Sequence, residues 1–279
     1  MTPLQAAAEI KKELESAGLE DAAFEAEQLT GGVLNMSISA LRVSNETLSS
    51  GQLDRLKIAL KERLSHRPLQ YILGEWEFYG LPFSVGEGVL IPRPDTETLV
   101  DTALKFIGGR EGLTIADLCA GSGCVGIAIQ KYAGGCGVFS YEKYDEAFKY
   151  LKKNIKRNRS AAKPIFRNIE DGPLPDERFD LIVCNPPYIK KDEIKRLQPE
   201  VLFEPDTALD GGRDGLYFYR VILDRWLSAL NAGGALAVEI GYDQADEVKM
   251  LMSEAGLSNI QGILDFSGVQ RVIIGTLLS

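Results

Sequence analysis

The chain has 279 residues, of which 45% are hydrophobic and 25% are charged. This length and composition exclude disordered and collagen-like proteins and predict one large globular domain or two ordinary ones. The 31 Lys and Arg residues against 40 Asp and Glu residues give a formal net charge of −9, which argues against a protein that grips a nucleic-acid backbone over a wide face. No apolar stretch is long enough to cross a membrane, and the charges between Met1 and Leu14 do not fit a signal peptide. We therefore expect a cytoplasmic protein with no membrane contact and no direct DNA binding.

Cysteine and histidine residues are few and scattered. The four cysteines form no Cys-x-x-Cys pair, and the single histidine, His66, is distant from them in sequence. No zinc or other metal site is predicted on this basis. His66 lies at the end of a helical pattern, a position typical of a C-terminal cap, so catalysis of the Ser/His/Asp type is disfavoured.

Residues 1–67 predict a small helical domain. Thr2-Pro3 is typical of a helix start, and apolar residues follow at helical spacing up to Leu14. A second helix fits about 22–29, and a third has apolar positions from Leu53 to Leu64 and ends before Pro68. Short apolar and aromatic runs broken by glycines then indicate a β-hairpin connector over residues 68–94.

Strands and helices alternate over residues 95–279. Strands fit 114–119, 137–141, 164–168, 180–184 and 235–240, with helices at about 95–108, 123–133, 145–158, 216–230 and 243–255. Near-continuous apolar strands separated by helices predict an α/β domain whose mostly parallel sheet is covered on both faces. Two further apolar runs, 258–264 and 271–277, predict a terminal antiparallel hairpin.

The first strand of this domain runs into a glycine-rich segment, Asp117-Leu-Cys-Ala-Gly121-Ser-Gly123-Cys-Val-Gly126. The Gly-x-Gly-x-x-Gly spacing between a strand and a helix is typical of a nucleotide site, because glycine lets backbone N–H groups approach a ligand at the helix N-terminus. Glu142 closes the next strand, where its side chain could accept hydrogen bonds from both ribose hydroxyls. A tight turn without ligand would need some of the same glycines, but the placement together with Glu142 favours a cofactor.

The fourth strand ends in Asn185-Pro186-Pro187-Tyr188. Ligands of open parallel sheets bind at the carboxyl ends of the strands, so this tetrapeptide should face the same crevice as Gly121 and Glu142. The Asn185 side-chain oxygen and a proline carbonyl could both accept hydrogen bonds from one NH₂ group, while Tyr188 offers a flat face to stack on it. A turn that only ends a strand would suit the two prolines but gives no reason for the flanking Asn and Tyr.

The tetrapeptide and the glycine loop together resemble class I S-adenosylmethionine-dependent methyltransferases, which have a Rossmann-like fold and here would act on a planar NH₂ group. Four further segments narrow the resemblance: Pro68-Leu-Gln-Tyr-Ile-Leu-Gly74, Leu90-Ile-Pro-Arg-Pro-Asp-Thr-Glu97, Pro199-Glu-Val-Leu-Phe-Glu-Pro205 and Ala208-Leu-Asp-Gly-Gly-Arg-Asp-Gly-Leu216. These segments are similar to the release factor glutamine methyltransferases, the HemK/PrmC family. The similarity covers nearly everything from Arg67 to the C-terminus, and the N-terminal helices match in kind.

This resemblance implies a reaction and its partners. A methyl group would pass from S-adenosyl-L-methionine, leaving S-adenosyl-L-homocysteine, to the side-chain amide nitrogen of the glutamine in the Gly-Gly-Gln motif of class 1 peptide chain release factors. Such methylation would tune translation termination. The helical domain would recognise the release factor, and we expect the enzyme to act as a monomer.

The resemblance also implies roles for individual residues. Thr96 would close over the cofactor, and Glu142 would bind its ribose. Ile169 and Glu170 would lie on the adenine side. The other residues that would hold the cofactor are Asp117, Cys119, Ala120, Gly121, Ser122, Gly123 and Asn185. The substrate amide would be held by the catalytic residues Asn185, Pro186, Pro187 and Tyr188. The sequence departs from the usual glycine loop in having Cys119-Ala120 before Gly121, and it carries Asn168 where an acidic residue is common.

Other classes of protein use parts of the same pattern. A DNA amino-methyltransferase shares the Asn-Pro-Pro-Tyr chemistry but must flip a base and bind phosphates, which the net charge disfavours. An NAD-dependent oxidoreductase could use the glycine loop and Glu142 but would leave the tetrapeptide unexplained. A catalytically silent binding module would not keep the tetrapeptide. The basic run from Lys149 to Arg167 is interpreted as a solvated helix face.

Overall fold

The computed structural model describes residues 1–278, which separate into two compact units. A helical unit comprises Met1–Glu75 together with Gln198–Phe203, and an α/β unit comprises Trp76–Leu197 together with the chain from Glu204 on. The segment Gln198–Phe203 therefore belongs to the helical unit although it is remote in sequence from the rest of it. Within residues 1–278, no helix is both long enough and apolar enough to cross a membrane.

The helical unit begins at the helix start that the sequence predicts. Its helices are α1 (Pro3–Ser16), α2 (Ala22–Leu34), α3 (Ile38–Val43), α4 (Ser50–Leu64) and α5 (Leu69–Leu73). Thr2 and Ser49 form capping boxes at the starts of α1 and α4, which satisfy N–H groups that a helix start leaves without partners. The predicted start at Thr2-Pro3 is confirmed, whereas α2 continues five residues beyond the predicted end at residue 29.

A buried charge cluster holds the later segment within the helical unit. Arg63, which is 4% exposed, donates to both carboxylate oxygens of Glu25 at 2.6 and 3.0 Å and to Glu200 Oε1 at 2.9 Å. His66 Nδ1 lies 2.9 Å from the same Glu200 oxygen. Burial opposes ionisation of Glu200, but the hydrogen bonds from His66 and Arg63 outweigh it, and the pKa of Glu200 is lowered. The single histidine thus contributes to an ion-pair cluster.

A short hairpin, β1 (Glu75–Phe78) and β2 (Leu81–Ser84), leads into the alternating elements of the α/β unit. The alternation that the sequence predicts is confirmed. In chain order the elements are α6 (Glu97–Ile107), β3 (Thr114–Leu118), α7 (Cys124–Ala133), β4 (Gly137–Glu142), α8 (Asp145–Arg157), β5 (Lys163–Phe166), β6 (Phe179–Cys184), α9 (Tyr217–Arg225), β7 (Leu230–Glu239), α10 (Ala245–Glu254), β8 (Leu257–Leu264) and β9 (Gln270–Leu277).

Within residues 1–278, seven of these strands form one sheet in the order β5-β4-β3-β6-β7-β9-β8. The strands β3 to β7 pair in parallel, whereas β9 is antiparallel to β7 and to β8. Successive side chains alternate between two apolar cores, so that Ile115 and Leu181 join one and Ala116 and Ile182 join the other. Both faces of the central strands are therefore buried, which explains their near-continuous apolar sequences. The predicted mostly parallel sheet and terminal hairpin are confirmed.

The structure differs from the predicted elements around β7. The helix predicted over 216–230 ends at Arg225, near the fully buried Trp226, whose indole N–H donates to the Ile169 carbonyl at 2.7 Å. The strand predicted to begin at residue 235 begins at Leu230. Asn231 fixes this early part of the strand by donating to Asp180 Oδ1 at 2.8 Å. This tertiary contact is not visible in the local apolar pattern.

Candidate active site

Polar residues lie at the carboxyl ends of neighbouring parallel strands, on the same side of the sheet. In the register of the strands, Leu118 pairs with Tyr141 and with Cys184, and Cys184 pairs with Val238. The positions that come next on β3, β4, β6 and β7 are Cys119, Glu142, Asn185 and Glu239. The chain order reverses between β3 and β6, and ligands of open parallel sheets bind at such a switch point. An open cleft lies there.

The glycine loop between β3 and α7 turns through left-handed backbone conformations. Cys119, Gly121 and Gly123 have φ angles of +55°, +55° and +81°. Gly123 is the residue immediately before α7, and its N–H donates to the Ala120 carbonyl at 2.7 Å. The third glycine of the motif, Gly126, serves packing: a Cβ there would lie 2.5 Å from both Asp117 Oδ2 and Ser140 Oγ. The spacing of the motif is thus required by the turn and by the contact of α7 with the sheet.

Glu142 holds the glycine loop against the end of β4. Its Oε2 accepts from the Gly121 N–H at 2.9 Å, and its Oε1 accepts from the N–H groups of Lys143 and Tyr144, each at 2.8 Å. Burial raises the pKa of this carboxyl group, and the three backbone hydrogen bonds oppose the increase. A carboxylate offers about four acceptor positions, so one position on Oε2 is left for a ligand hydroxyl.

Asp117 is a second buried carboxyl group beneath the loop. Its side chain is 2% exposed, and Oδ2 accepts from the Gly126 N–H at 3.1 Å. Burial raises the pKa of Asp117 to about 7, and this hydrogen bond opposes the increase. Asp117 therefore supports the turn from β3 into α7 at the base of the cleft.

The tetrapeptide after β6 is anchored at both ends. Asn185 Nδ2 donates to the hydroxyl of Thr96 at 3.1 Å. The hydroxyl of Tyr188 donates to Glu239 Oε1 at 3.3 Å, and the Tyr188 carbonyl accepts from Gln244 Nε2 at 2.9 Å. Burial and the Glu239 carboxylate raise the pKa of Tyr188. Asn185 lines the cleft, whereas the Tyr188 ring packs against the core.

The residues after β5 form another wall. Asn168 and Ile169 line the cleft beside Arg167, whose Nε is buried and makes no hydrogen bond within residues 1–278. The Glu170 carboxylate accepts from Asn168 Nδ2 at 2.6 Å and from the Tyr217 hydroxyl, and these two bonds lower its pKa. Glu170 thus orders this segment through its neighbours.

The structure brings most of the proposed site residues to one cleft. Those that line it are Thr96, Asp117, Cys119, Ala120, Gly121, Ser122, Glu142, Ile169, Asn185 and Pro187. Those that lie outside its lining are Gly123, Glu170, Pro186 and Tyr188.

Sequence reasoning assigned no role to several residues at the cleft. Arg93 and Pro205 line it, and Glu204 links their segments by accepting from the Ile91 N–H at 2.8 Å and from the Arg93 guanidinium. Both segments carry the family resemblance, and this was the signal available for them. Glu239 was also missed, although it ends an apolar strand as Glu142 does.

The cleft combines few polar groups with apolar walls. Its acceptors include the carboxyl groups of Asp117 and Glu142, its cations include Arg93 and Arg167, and Val125 is among its apolar residues. Within residues 1–278, no three His, Cys, Asp or Glu side chains are grouped so as to hold a metal ion. Such a cleft suits an organic ligand with hydroxyl groups and a flat apolar part.

Comparisons with known proteins agree with this geometry. The family model described as the PrmC N-terminal domain matches residues 5–74, and the model described as the methyltransferase small domain matches residues 96–212. A protein of Thermodesulfovibrio yellowstonii named release factor glutamine methyltransferase is 40% identical over 256 residues, which cover 90% of this chain and 91% of the relative.

Solved structures show the same fold at low identity. A methyltransferase from Pyrococcus furiosus is similar with a TM-score of 0.56 and 19% identity, over 83% of this chain and all of that one. A 16S rRNA methyltransferase from T. thermophilus, solved with AdoMet and guanosine, is similar with a TM-score of 0.52 and 17% identity, over 73% of this chain and 49% of that one. Together with the sequence identity over nine tenths of the length, these findings establish that the chain belongs to the release factor glutamine methyltransferase family.

Proposed function

We propose that this chain transfers a methyl group from S-adenosyl-L-methionine to the side-chain amide nitrogen of the glutamine in the Gly-Gly-Gln motif of class 1 peptide chain release factors, with S-adenosyl-L-homocysteine as the other product. The observation that carries this proposal is the position of Asn185. Its side chain lines the cleft that the glycine loop and Glu142 also line, and its Nδ2 is already bound to Thr96. The remaining polar atom, Oδ1, is an acceptor for a substrate N–H.

The residues of the cleft fit S-adenosylmethionine. Glu142 keeps one acceptor position for a ribose hydroxyl, and the loop at Gly121 presents open space beside its backbone, where a Cβ would meet only Cys119 O, at 4.0 Å. The walls at Asn168 and Ile169 offer an amide and an apolar side chain to the adenine. When bound, S-adenosylmethionine supplies an electrophilic methyl group on a positively charged sulfur.

The difficulty of the reaction lies in the substrate. An amide nitrogen is a poor nucleophile because its lone pair is delocalised into the carbonyl group. Asn185 Oδ1 and a proline carbonyl of the tetrapeptide, by accepting the two amide hydrogens, would favour a localised lone pair on the nitrogen and direct it towards the methyl group. No strong base is needed in this arrangement, since the amide proton becomes acidic as the nitrogen forms its new bond and can leave to water. Positioning therefore dominates catalysis.

Substitution of Asn185 tests this function. Asn185→Ala removes the acceptor and should lower kcat/KM for a purified release factor by at least about tenfold, because an unpaired polar group alone costs about 1–3 kcal/mol. Asn185→Asp keeps acceptor oxygens but adds a charge next to the sulfonium, which should stabilise the ground state and also slow transfer. Mass spectrometry of the Gly-Gly-Gln peptide measures the product, and calorimetry with S-adenosylmethionine checks that each variant still binds the methyl donor. Wild-type turnover by Asn185→Ala would overturn the assignment.

A further inference from the structure

A buried amide side chain lies against the tetrapeptide and has no part in the function described above. Gln244, the residue immediately before α10, is 4% exposed. Its Nε2 donates to the Tyr188 carbonyl at 2.9 Å and to the Gly215 carbonyl at 3.2 Å, and its Oε1 accepts from the Gly241 N–H at 2.9 Å. Both hydrogens of the amide are therefore used on backbone carbonyl groups.

These three backbone groups fix the orientation of the Gln244 amide. A backbone N–H can only donate and a backbone carbonyl can only accept, so exchanging the oxygen and the nitrogen of the amide would break all three hydrogen bonds. The amide thus connects the loop after β7, which contains Gly241, to the segment that contains Gly215. Its NH₂ group faces the Tyr188 carbonyl in a single orientation.

Two glycines let the neighbouring backbone approach Tyr188 closely. A Cβ at Gly211 would lie 2.7 Å from Tyr188 Cα. A Cβ at Gly215 would lie 2.5 Å from both the Tyr188 carbonyl oxygen and Gln244 Nε2. The Gly211 N–H also donates to the carbonyl of Ile189 at 2.8 Å. Glycine is required at both positions, because the backbone of Tyr188 and the Gln244 amide leave no space for a side chain.

The two prolines make the tetrapeptide dependent on anchors at its ends. Proline has no backbone N–H and its ring fixes φ, so Pro186 and Pro187 contribute no donor that would hold this segment. Asn185 is anchored at one end through Nδ2 and the Thr96 hydroxyl, and Tyr188 is anchored at the other end through its carbonyl. Because both ends are held and two φ angles are fixed, the proline carbonyls between them keep one direction.

We propose that Gln244 is a positioning residue that fixes the carboxyl end of the tetrapeptide and thereby aims the proline carbonyl that accepts a hydrogen of the substrate amide. This inference rests on the proposed function, because it explains how one of the two acceptors is held. Within residues 1–278, Pro187 lines the cleft whereas Gln244 does not, so Gln244 acts through Tyr188. Its loss should slow methyl transfer without weakening the binding of S-adenosylmethionine.

The test compares two buried amides, each replaced by an apolar side chain of similar shape. Gln244→Met removes the hydrogen bonds to the tetrapeptide. Asn158→Leu is the matched control, because Asn158 Nδ2 likewise donates to two backbone carbonyls, those of Pro82 and Asn154, at 3.0 and 3.2 Å. Asn158 follows α8 and is 8% exposed. Each variant loses buried hydrogen bonds, so both should unfold at a lower temperature than the wild type.

Methylation of an intact release factor is measured well below the unfolding temperature of every variant. Calorimetry with S-adenosylmethionine gives the affinity and the number of binding sites, so that kcat is expressed per site. Gln244→Met should lower this kcat at least about tenfold, because a small misplacement of a reacting group is costly, while its affinity for S-adenosylmethionine stays that of the wild type. Asn158→Leu should keep the wild-type kcat. A purely structural defect would lower the number of binding sites and leave the rate per site unchanged.

The outcomes separate this inference from the proposed function. Wild-type kcat per site in Gln244→Met overturns the positioning role and leaves the function intact, and so does an equal fall of kcat in Asn158→Leu. A wild type that binds S-adenosylmethionine but never methylates the release factor overturns both. If Gln244→Met fails to fold, Gln244→Asn decides, because it keeps an amide but shortens the side chain by one methylene group. Wild-type kcat in that variant also overturns the positioning role.

Discussion

The carboxylate of Glu142 accepts three backbone N–H groups from the residues around it, and this leaves one acceptor position towards the cleft. The same side chain can therefore shape the glycine loop and bind a ribose hydroxyl. Asn185 likewise joins an anchor at Nδ2 to a free acceptor at Oδ1. In both residues, hydrogen bonds within the chain fix the side chain, and an acceptor position remains for a ligand.

Removal of the Glu142 side chain should weaken binding of S-adenosylmethionine by about tenfold to a hundredfold, because hydrogen bonds to a charged acceptor contribute about 1.5–3 kcal/mol. Glu142→Ala also leaves three backbone N–H groups without their acceptor, so weaker binding by this variant does not by itself prove a ribose contact. A second ligand that lacks the ribose hydroxyls separates the two effects. Calorimetry should find that wild type binds a ribose-dideoxy analogue of S-adenosylhomocysteine about tenfold more weakly than the parent compound, while Glu142→Ala binds the two alike. A variant that still prefers the intact ribose would contradict the role.

The sequence predicted which single residues lie at the candidate site where the position of a residue at the end of a strand was enough to place it. Glu142 and Asn185 each follow an apolar run, and the alternation of elements places both at one edge of the sheet. Glu239 occupies an equivalent position at the end of β7 but was missed. The Tyr188 ring packs against the core and its hydroxyl donates to Glu239, and these contacts with remote residues could not be predicted either.

Among the elements, α4 shows how a helix end is stabilised by a remote part of the chain. Arg63 in its last turn pairs with Glu25 of α2 and with Glu200, and His66 adds a second bond to Glu200. Because Arg63 is buried, loss of a partner leaves charge that water cannot solvate. The cluster should therefore contribute to the stability of the helical unit in a pH-dependent manner.

Glu200→Gln should lower the free energy of unfolding by about 1–2 kcal/mol at pH 7. A hydrogen bond to a charged group contributes about 1.5–3 kcal/mol, and the partial exposure of Glu200 to solvent reduces this contribution. The pKa of Glu200 is lowered on folding, so its contribution is fully present above the unfolded value near 4.5 and is lost as the pH falls through the lower folded pKa. Urea unfolding at pH 7 and at a series of lower pH values should find that the difference in unfolding free energy between variant and wild type is full at pH 7 and shrinks as the pH falls through the lowered pKa.

The control for this prediction is Glu27→Gln, which breaks the exposed pair of Glu27 with Arg42 in the same unit. An exposed ion pair contributes little, so this variant should unfold like the wild type. A destabilisation of Glu200→Gln that does not shrink as the pH falls would assign the effect to packing and contradict the electrostatic account.

Elements were predictable where the local pattern was decided by burial alone. The central strands β3 and β6 are buried on both faces, and their continuous apolar sequences predicted them within one residue at each end. The predicted end of α2 was wrong because Gly31 and Gly32, which lie beyond it, have poor helix propensity. The helix continues through them since Gly32 lies directly against Leu73, where a Cβ would be 2.5 Å from Cδ2. Tertiary packing of this kind overrides the local signal.

At the scale of the whole molecule, the helical unit coincides closely with the stretch that matches the PrmC N-terminal domain. A tripeptide offers little surface for selectivity, so we expect this unit to contact the release factor outside its Gly-Gly-Gln motif. Within residues 1–278, the residues that line the cleft all belong to the α/β unit, in contrast. We therefore expect recognition and chemistry to be carried by different parts of the chain.

Deletion of residues 1–67 should leave affinity for S-adenosylmethionine largely intact and impair methylation of an intact release factor. A short Gly-Gly-Gln peptide serves as the matched substrate, because it lacks the surface that the helical unit would contact. The truncated enzyme should methylate this peptide at a rate similar to that of the full chain, and mass spectrometry measures both products. Equal turnover of the two enzymes on the intact factor would contradict a recognition role.

The segment Gln198–Phe203 has a consequence for how the protein is made. The chain leaves the helical unit after Glu75, returns at Gln198 and leaves again after Phe203. During synthesis, the five N-terminal helices leave the ribosome long before Glu200 does. Arg63 therefore cannot form its ion pair with Glu200 until that later segment has been made. Closing this long loop costs conformational entropy and raises the contact order of the helical unit. The N-terminal helices therefore reach their final stability only after most of the sheet has emerged, and the maturation of the two units is linked by the order of translation.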